Sequence, residues 1–365
     1  MGFKCGLVGL PNVGKSTLFT ALSNLPVECA NFPFLTIEPN LGIVPVEDER
    51  LFKVAELASS EKVTPATLTI VDIAGLIGGA SKGEGLGNRF LAHIREMDLL
   101  IHVVRSFKSP EIIHLPGEPE PLRDIDIVNL ELILADQKTL EKRLEKIERE
   151  IKAGNKNARD EKELLNRVYA YLGTGKLVRS LPVTREEEDI INSWQLLTQK
   201  PVIYVVNCGE EELAVDEEKR VETIKTFAEE AGAPVISICT TLEAELVDLE
   251  KEDKKSFLEE YGLKETSLKR VVQAGYRCLD LITFFTIKGT EARAWAVKKG
   301  TKAKEGAGKV HSDMERGFIA AEVIHVDKLL EVGSLSAAKE NGLLRLEGKD
   351  YVLVDGDVIL FRFKV

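Results

Sequence analysis

Phe3-Lys-Cys-Gly-Leu-Val8, an apolar strand pattern, runs directly into Gly9-Leu-Pro-Asn-Val-Gly-Lys-Ser16. The second stretch matches Gly-x-x-x-x-Gly-Lys-Ser, a loop whose backbone N–H groups surround the β-phosphate of a nucleotide. In this pattern Lys15 neutralises β/γ-phosphate charge and the Ser16 hydroxyl binds Mg²⁺. A helical pattern begins at Thr17, and the positive N-terminal end of such a helix would face the anion. The sequence therefore predicts a nucleoside-triphosphate site formed by Asn12, Val13, Gly14, Lys15, Ser16 and Thr17.

The composition limits the class of protein. The chain has 365 residues, 44% of them hydrophobic and 30% charged, which is enough for two or three cored domains. Because no apolar run is long enough to span a membrane and the first strand leaves no room for a signal peptide, we expect a soluble, cytoplasmic protein without a membrane partner. The 5 cysteines are scattered without a Cys-x-x-Cys pair, as is typical of reduced thiols.

Charge is unevenly distributed along the chain. The net charge of −11 argues against non-specific nucleic-acid binding by the whole molecule, and we expect no DNA specificity. Residues 281–365 nevertheless carry 14 Lys+Arg and 12 Asp+Glu, a net +2 against −13 for the rest. A lysine cluster there is opposed only by Glu305, and consists of Lys298, Lys299, Lys302, Lys304 and Lys309. This cluster either binds RNA phosphates or is a group of solvated loop lysines.

Five apolar, β-branched runs alternate with helical patterns, which indicates parallel strands in an α/β domain. The runs are residues 3–8, 68–71, 99–104, 202–206 and 234–238. A charged segment, residues 129–200, interrupts this domain with heptad-like apolar spacing and predicts a helical hairpin. This hairpin is either a solvated strut or a partner-binding arm. Within the segment, Thr184 and Glu187 match a capping box and predict the start of a further helix.

The end of the chain changes to short strand patterns. We expect strands at residues 283–287, 294–297, 318–323, 350–353 and 358–363. Asp355-Gly356-Asp357 predicts a tight turn before the last of them. The predicted domains are therefore a nucleotide domain over residues 1–280, interrupted by the helical insertion at 129–200, and a small α+β domain over 281–365.

Two further elements of the nucleotide site follow the phosphate loop. The strand pattern at 68–71 leads into Asp72-Ile-Ala-Gly75, an Asp-x-x-Gly element in which the Asp acts at Mg²⁺ through water and the Gly N–H meets the γ-phosphate. Between the two elements, Thr36 is placed to complete the Mg²⁺ shell when its loop closes, or it is an ordinary loop threonine. We therefore assign Ser16, Thr36 and Asp72 to the metal and Gly75 to catalysis.

The base-reading element is expected after the strand at 202–206, where the residues are Asn207-Cys208-Gly209-Glu210. GTPases have Asn-Lys-x-Asp here, and the short carboxylate accepts two hydrogen bonds from guanine. Glu210 is one methylene too long and would repel adenine N1, so we expect it to turn away while the Asn207 amide pairs with adenine. The site should then prefer ATP to GTP. Alternatively, Glu210 is merely the first acid of the exposed run at 210–212.

These motifs together resemble the YchF family of Obg-like ATPases. The resemblance rests on Gly9-Leu-Pro-Asn-Val-Gly-Lys-Ser-Thr17, Asn31-Phe-Pro-Phe-Leu-Thr-Ile-Glu-Pro-Asn40, Asp72-Ile-Ala-Gly-Leu76, Ala80-Ser-Lys-Gly-Glu-Gly-Leu-Gly87 and Asn207-x-x-Glu210, and it spans the whole chain. It implies an α/β P-loop NTPase fold: an Obg-type G domain with an inserted α-helical coiled-coil hairpin and a C-terminal β-grasp (TGS) domain. It also implies slow Mg²⁺-dependent hydrolysis of ATP and binding to the ribosome or its large subunit, with rRNA as a partner.

The residues around the γ-phosphate predict slow intrinsic turnover. Leu76 stands where many GTPases carry a glutamine that orients the attacking water, and an apolar side chain cannot do so. His114 is either a water-orienting imidazole or a surface histidine. Asn12 resembles the asparagine that holds K⁺ in cation-activated relatives, or it caps the loop. Two other functions stay open: a GTPase of the translation-factor class, and an RNA- or ribosome-binding module whose nucleotide is mainly structural.

Overall fold

The computed structural model describes residues 2–25, 40–73, 85–114, 117–153, 157–213, 217–247 and 249–364. Its strands are β1 (Phe3–Val8), β2 (Leu41–Val46), β3 (Lys62–Thr64), β4 (Ala66–Asp72), β5 (Leu99–Arg105), β6 (Val202–Asn207), β7 (Val235–Ile238), β8 (Leu281–Lys288), β9 (Glu291–Lys298), β10 (Phe318–His325), β11 (Arg345–Glu347) and β12 (Asp357–Phe363). Its helices are α1 (Lys15–Ser23), α2 (Glu49–Leu57), α3 (Gly85–Arg95), α4 (Pro121–Lys152), α5 (Asn157–Gly173), α6 (Arg185–Asn192), α7 (Glu210–Leu213), α8 (Glu217–Glu229), α9 (Thr240–Val247), α10 (Lys251–Glu260), α11 (Ser267–Cys278), α12 (Ala303–Val310), α13 (Ser312–Arg316), α14 (Val326–Val332) and α15 (Leu335–Glu340).

The first sheet carries the nucleotide motifs. Its strand order among the described residues is β2-β4-β1-β5-β6-β7, and β1, β5, β6 and β7 pair in parallel. Leu7 lies opposite Ile101, and Val103 lies opposite Val205. All positions of β5 are buried, as expected for a central strand covered on both faces. All five strands predicted for this domain are present, and the α/β P-loop fold is confirmed.

Helices α4 and α5 form the predicted helical hairpin. Pro121 begins α4, where its fixed φ suits a first helical turn and its missing N–H costs no hydrogen bond. Glu141 accepts a hydrogen bond from Tyr169 at 2.9 Å, and Lys162 donates to Glu148 at 2.8 Å. Residues later in α4 contact residues earlier in α5, so the two helices are antiparallel. Their shared core includes Leu140, Ile147, Leu165, Val168 and Leu172.

A buried carboxylate anchors the base of the hairpin. Asp136 of α4 is 1% exposed and accepts hydrogen bonds from the backbone N–H groups of Leu197 and Thr198 and from the Thr198 hydroxyl, at 2.7–2.9 Å. Burial raises the pKa of Asp136, and these hydrogen bonds oppose that shift. Further along, Thr184 and Glu187 form the predicted capping box at the start of α6.

The second sheet has the strand order β11-β10-β12-β8-β9-β3 among the described residues. The prediction of a strand at 350–353 was wrong. Tyr351 and the backbone N–H of Val354 both donate to Asp357, which holds that segment as a loop. Gly356 has a φ of 89°, in agreement with the predicted turn. Sequence patterns also missed the short strand β3, which pairs in parallel with β9.

Two compact units divide the chain. One comprises Met1–Phe3, Ser23–Thr69 and Gly275–Val365, and the other comprises Lys4–Leu22 and Ile70–Ala274. The first unit has a core that includes Phe284, Val323 and Phe361. The division into domains at 1–280 and 281–365, with an insertion at 129–200, stays a prediction. Among the described helices, none combines the length and the apolar composition that crossing a membrane requires.

Candidate nucleotide-binding site

The phosphate loop lies between the end of β1 and the start of α1. Its backbone has positive φ at Gly9 (149°), Asn12 (62°) and Gly14 (99°). A Cβ atom at Gly9 would lie 2.4 Å from the Val103 carbonyl oxygen, and one at Gly14 would lie 2.3 Å from Nδ2 of Asn207. Both positions therefore require glycine for conformation and for space. Val13 between them is buried, and Thr17 is half-buried on α1.

The Lys15 side chain folds back over this loop. It is 6% exposed, and its ammonium donates to the carbonyl oxygens of Gly9 at 3.2 Å and Leu10 at 2.7 Å. Burial lowers the pKa of Lys15 to about 8, against the attraction of Asp72, which raises it. A phosphate would offer this ammonium a charged acceptor in place of two neutral carbonyl groups.

Ser16 and Asp72 lie side by side, although 56 residues separate them in sequence. The Ser16 hydroxyl donates to Oδ2 of Asp72 at 3.1 Å. The other carboxylate oxygen, Oδ1, is buried and has no hydrogen-bond partner in the described part of the chain. Hard cations such as Mg²⁺ take oxygen ligands, and an unpartnered carboxylate oxygen beside a hydroxyl suits such an ion or its water. Thr36, the third predicted metal residue, and Gly75 lie outside the described residues.

Asn207 connects the end of β6 to the phosphate loop. Its Nδ2 donates to the Val13 carbonyl at 2.9 Å, and its Oδ1 accepts from the backbone N–H of Thr240 at 3.2 Å. The side chain is 2% exposed, so one donor and one acceptor of the amide serve protein partners. In this structure Asn207 holds the loop in place. Pairing of its amide with adenine stays a prediction.

Glu210 begins α7 and is exposed. Its Oε1 accepts a hydrogen bond from the hydroxyl of Tyr261 at 3.0 Å. Glu212, in the same acidic run, accepts from the backbone N–H of Gly209 at 3.2 Å. The acids of this run therefore have different partners, and the carboxylate of Glu210 is held by an aromatic residue that sequence reasoning did not connect to the site.

His114 is not a surface histidine, so that alternative was wrong. Its Nε2 lies 2.7 Å from Oδ2 of Asp124, and both side chains are 2% exposed. Asp124 belongs to the first turn of α4. Burial raises the pKa of Asp124, while the neighbouring His114 and Arg123 act in the opposite direction. Nδ1 of His114 is buried without a hydrogen-bond partner among the residues described.

Arg105 organises the loop that carries His114, and the sequence analysis missed it. The side chain is 1% exposed, and its guanidinium donates to the carbonyl oxygens of Phe107 (2.9 Å), Ile112 (3.1 Å) and Ser109 (3.4 Å). Burial lowers its pKa. A charged residue at the end of the buried strand β5, where only His102 is otherwise polar, was the available signal, because such a residue needs a specific polar environment.

Asn12 joins this loop to the phosphate loop. Its Nδ2 donates to the carbonyl oxygen of Ile113, the residue before His114, at 3.1 Å. This contact agrees with the loop-capping alternative for Asn12, and its role toward K⁺ stays a prediction. The structure thus brings together the phosphate loop, Asp72, Asn207 and the loop preceding His114, whereas Glu210 contacts Tyr261.

The lysine cluster in the first compact unit is less uniform than its sequence indicated. Lys302 forms an ion pair with Asp350 at 2.9 Å, so Glu305 is not the cluster's only acidic neighbour. Lys309 is half-buried, and its Nζ lies 5.3 Å from the centre of the Phe3 ring. The exposed members are Lys298, Lys299, Lys302 and Lys304.

Comparison with known protein families first identifies the class of protein to which the chain belongs. A family model described as "50S ribosome-binding GTPase" matches residues 4–208, the part of the chain that holds the phosphate loop, Asp72 and Asn207. Together with the strand, loop and helix around Lys15, this match places the chain among the P-loop proteins with a GTPase-type fold.

The family follows from matches over the full length. The Ribosome-binding ATPase YchF of Bacillus subtilis is 47% identical over 366 residues, and that of Haemophilus ducreyi is 46% identical over 365, each alignment covering 100% of both chains. The structure of the Schizosaccharomyces pombe YchF GTPase matches with a TM-score of 0.89 and 36% identity, covering 99% of this chain and 98% of that one. A model for the C-terminal part of YchF GTPases, described as a protein of unknown function, matches residues 281–364. The chain belongs to the YchF family.

Proposed function

We propose that this chain is a cytoplasmic, Mg²⁺-dependent ATPase that prefers ATP to GTP and binds the ribosome as a nucleotide-dependent switch. The observation that carries the proposal is the Ser16–Asp72 pair beside a complete phosphate loop with a buried Lys15. The name Ribosome-binding ATPase, given to relatives that match over their full length, supports both the reaction and the partner.

Ser16, Asp72 and Thr36 would hold the metal. Bound Mg²⁺ neutralises charge on the β- and γ-phosphates and orients them for attack. Lys15 adds a positive charge at the same phosphates, and the N–H groups of Gly14 and its neighbours donate to them. Oδ1 of Asp72 has no partner among the described residues, which supports the assignment, since a buried carboxylate oxygen without a partner is unfavourable unless an ion or water binds it.

His114 is the proposed group that orients the attacking water, and Gly75 would donate its N–H to the γ-phosphate. Nε2 lies against Asp124, whereas Nδ1 has no close partner in the described part of the chain, so Nδ1 is the ring atom proposed to bind the water. Asn12 ties the loop before His114 to the phosphate loop, which supports a position near the γ-phosphate. An imidazole in place of the glutamine of many GTPases is consistent with slow intrinsic turnover. A K⁺ ion at Asn12 would increase this rate.

Purine selectivity depends on Glu210. Its carboxylate is hydrogen-bonded to Tyr261, and a carboxylate so held does not present two acceptors to the N1–H and 2-amino groups of guanine. Adenine has no hydrogen-bond donor at N1 or at position 2, so ATP loses no hydrogen bond in this arrangement. This arrangement supports a preference for ATP.

The decisive experiment compares the affinities of the purified protein for ATP and GTP and then measures hydrolysis of each with and without Mg²⁺. We expect tighter binding of ATP, hydrolysis that requires Mg²⁺, and loss of both in Lys15→Ala. Equal or tighter binding of GTP would favour the second candidate, a GTPase, which the description of the matching family model supports. Hydrolysis unchanged in Lys15→Ala would leave only a binding module with a structural nucleotide.

The ribosomal partner is tested by sedimentation with isolated subunits. We propose the large subunit and its rRNA, contacted in part by Lys298, Lys299 and Lys304 of the terminal β-grasp (TGS) domain, because exposed lysines bind phosphates. The variant K298E/K299E/K304E should sediment less with the large subunit. The matched control reverses three other exposed lysines of the same compact unit, Lys53, Lys328 and Lys339. Equal loss in both variants would indicate only a general charge effect.

A further inference from the structure

Tyr261 follows α10 and has a polar and an aromatic contact. Its hydroxyl donates to Oε1 of Glu210 at 3.0 Å, across 51 residues of sequence. Its ring stacks on Phe257, with centroids 4.6 Å apart and an angle of 22° between the planes. The hydrogen bond to Glu210 raises the pKa of Tyr261, which keeps the hydroxyl protonated as a donor. The ring and the hydroxyl therefore both hold this tyrosine in one place.

Phe257 attaches this tyrosine to the frame of the nucleotide site. Its side chain packs against the cluster of Cys208, Cys239 and Leu242, each of them buried. Cys208 directly follows Asn207, and Cys239 directly precedes Thr240. Asn207 and Thr240 hydrogen-bond each other beside the phosphate loop. The backbone N–H of Cys208 also donates to the Ile238 carbonyl at 2.8 Å. The position of Tyr261 is thus set by the same segments that position Asn207.

We propose that Tyr261 is a positioning residue for purine selectivity, which holds the Glu210 carboxylate away from the base. This inference rests on the proposed preference for ATP. It explains why Glu210 does not accept hydrogen bonds from guanine as the shorter aspartate of GTPases does. Without the hydroxyl, the flexible Glu210 side chain can turn toward the base. There its oxygens would repel adenine N1, an acceptor, and would accept from the N1–H and 2-amino groups of guanine.

The test uses Tyr261→Phe in the full chain, which keeps the stacked ring and removes the hydroxyl alone. We expect the ratio of GTP to ATP dissociation constants to fall about fivefold, as for loss of one hydrogen bond to a charged group at an exposed site. The matched control is Tyr169→Phe, which removes the same kind of hydrogen bond, 2.9 Å long to Glu141, from the helical hairpin. That control should leave the ratio unchanged, and thermal unfolding should show that both variants are folded.

A double-mutant cycle with Glu210→Ala shows whether Tyr261 acts through Glu210. In the Glu210→Ala background, Tyr261→Phe should no longer change the ratio. The inference is overturned if the single Tyr261→Phe variant keeps the wild-type ratio, or if it shifts the ratio equally in both backgrounds, since the tyrosine would then contact the base itself. A wild-type protein without any ATP preference would instead refute the proposed function, so the two failures are distinguishable.

Discussion

Nε2 of His114 lies 2.7 Å from Oδ2 of Asp124, and neither side chain is more than 2% exposed. Asp124 belongs to the first turn of the long helix α4, and the residue before His114 accepts a hydrogen bond from Asn12 of the phosphate loop. The start of the hairpin and the phosphate loop therefore meet at one short segment. Any change in the position of this segment on nucleotide binding would act on α4 directly.

Asp124→Asn tests this pair. The variant keeps the shape of the side chain but removes the charge that fixes the imidazole, so we expect kcat for ATP to fall about tenfold with little change in ATP affinity. Single-turnover hydrolysis and equilibrium binding measure the two effects separately. Asp126→Asn is the matched control, because Asp126 lies on the same helix but is exposed. Equal kcat in Asp124→Asn and the wild type would exclude a role for this contact in hydrolysis.

Arg105→Lys tests how the loop before His114 is held. A lysine ammonium cannot reach three separate carbonyl groups as the planar guanidinium does, and we expect the free energy of unfolding to fall by about 2 kcal/mol. Urea unfolding measures this, and amide hydrogen exchange should become faster from Phe107 to Ile113. Arg316→Lys, at an arginine whose side chain is 78% exposed, is the control and should change stability little. Similar changes in both variants would contradict the assignment.

Asn207→Asp distinguishes positioning from base reading. The new carboxylate would face the Val13 carbonyl, and the two acceptors repel each other, so the phosphate loop loses its support. We expect ATP and GTP affinities to fall together, each by about tenfold. Asn192→Asp is the control, because Oδ1 of Asn192 accepts a hydrogen bond from Gln199 and an aspartate can still do so. A selective loss of ATP affinity would show instead that the amide reads the base.

Nucleotide affinity should depend on pH through Lys15. Burial lowers the pKa of Lys15 to about 8, so the free protein carries the ammonium below that pH and loses its charge above it. Phosphate binding needs the charged form, and affinity at pH 9 should be about tenfold weaker than at pH 7. Fluorescent-nucleotide titrations at constant ionic strength measure this, with thermal unfolding at each pH as the control. Affinity that stays constant to pH 9 would contradict the lowered pKa.

Local patterns were sufficient for the elements with strong periodicity or fixed chemistry. Gly9, Gly14 and Lys15 determine the phosphate loop through positive φ, small size and charge, and these properties are visible in the residue types themselves. Of the first sheet's strands among the described residues, all except β2 were predicted for the same reason, and so was the capping box at Thr184. The strand expected at 350–353 was wrong because the side chain of Asp357 accepts hydrogen bonds from Tyr351 and Val354 within the same short segment, and this loop geometry outweighs β propensity.

The sequence alone established an α/β P-loop fold, the phosphate loop and the acid at position 72, because each depends on neighbours in the chain or on a fixed spacing of residue types. Only the tertiary structure decided that His114 is buried against Asp124, that Arg105 holds its loop, that Asn207 supports Val13, and that Tyr261 holds Glu210. These contacts join residues that are far apart in sequence or that point in directions set by packing. A one-dimensional pattern contains no distance between such groups, so their partners become known only when the chain is folded.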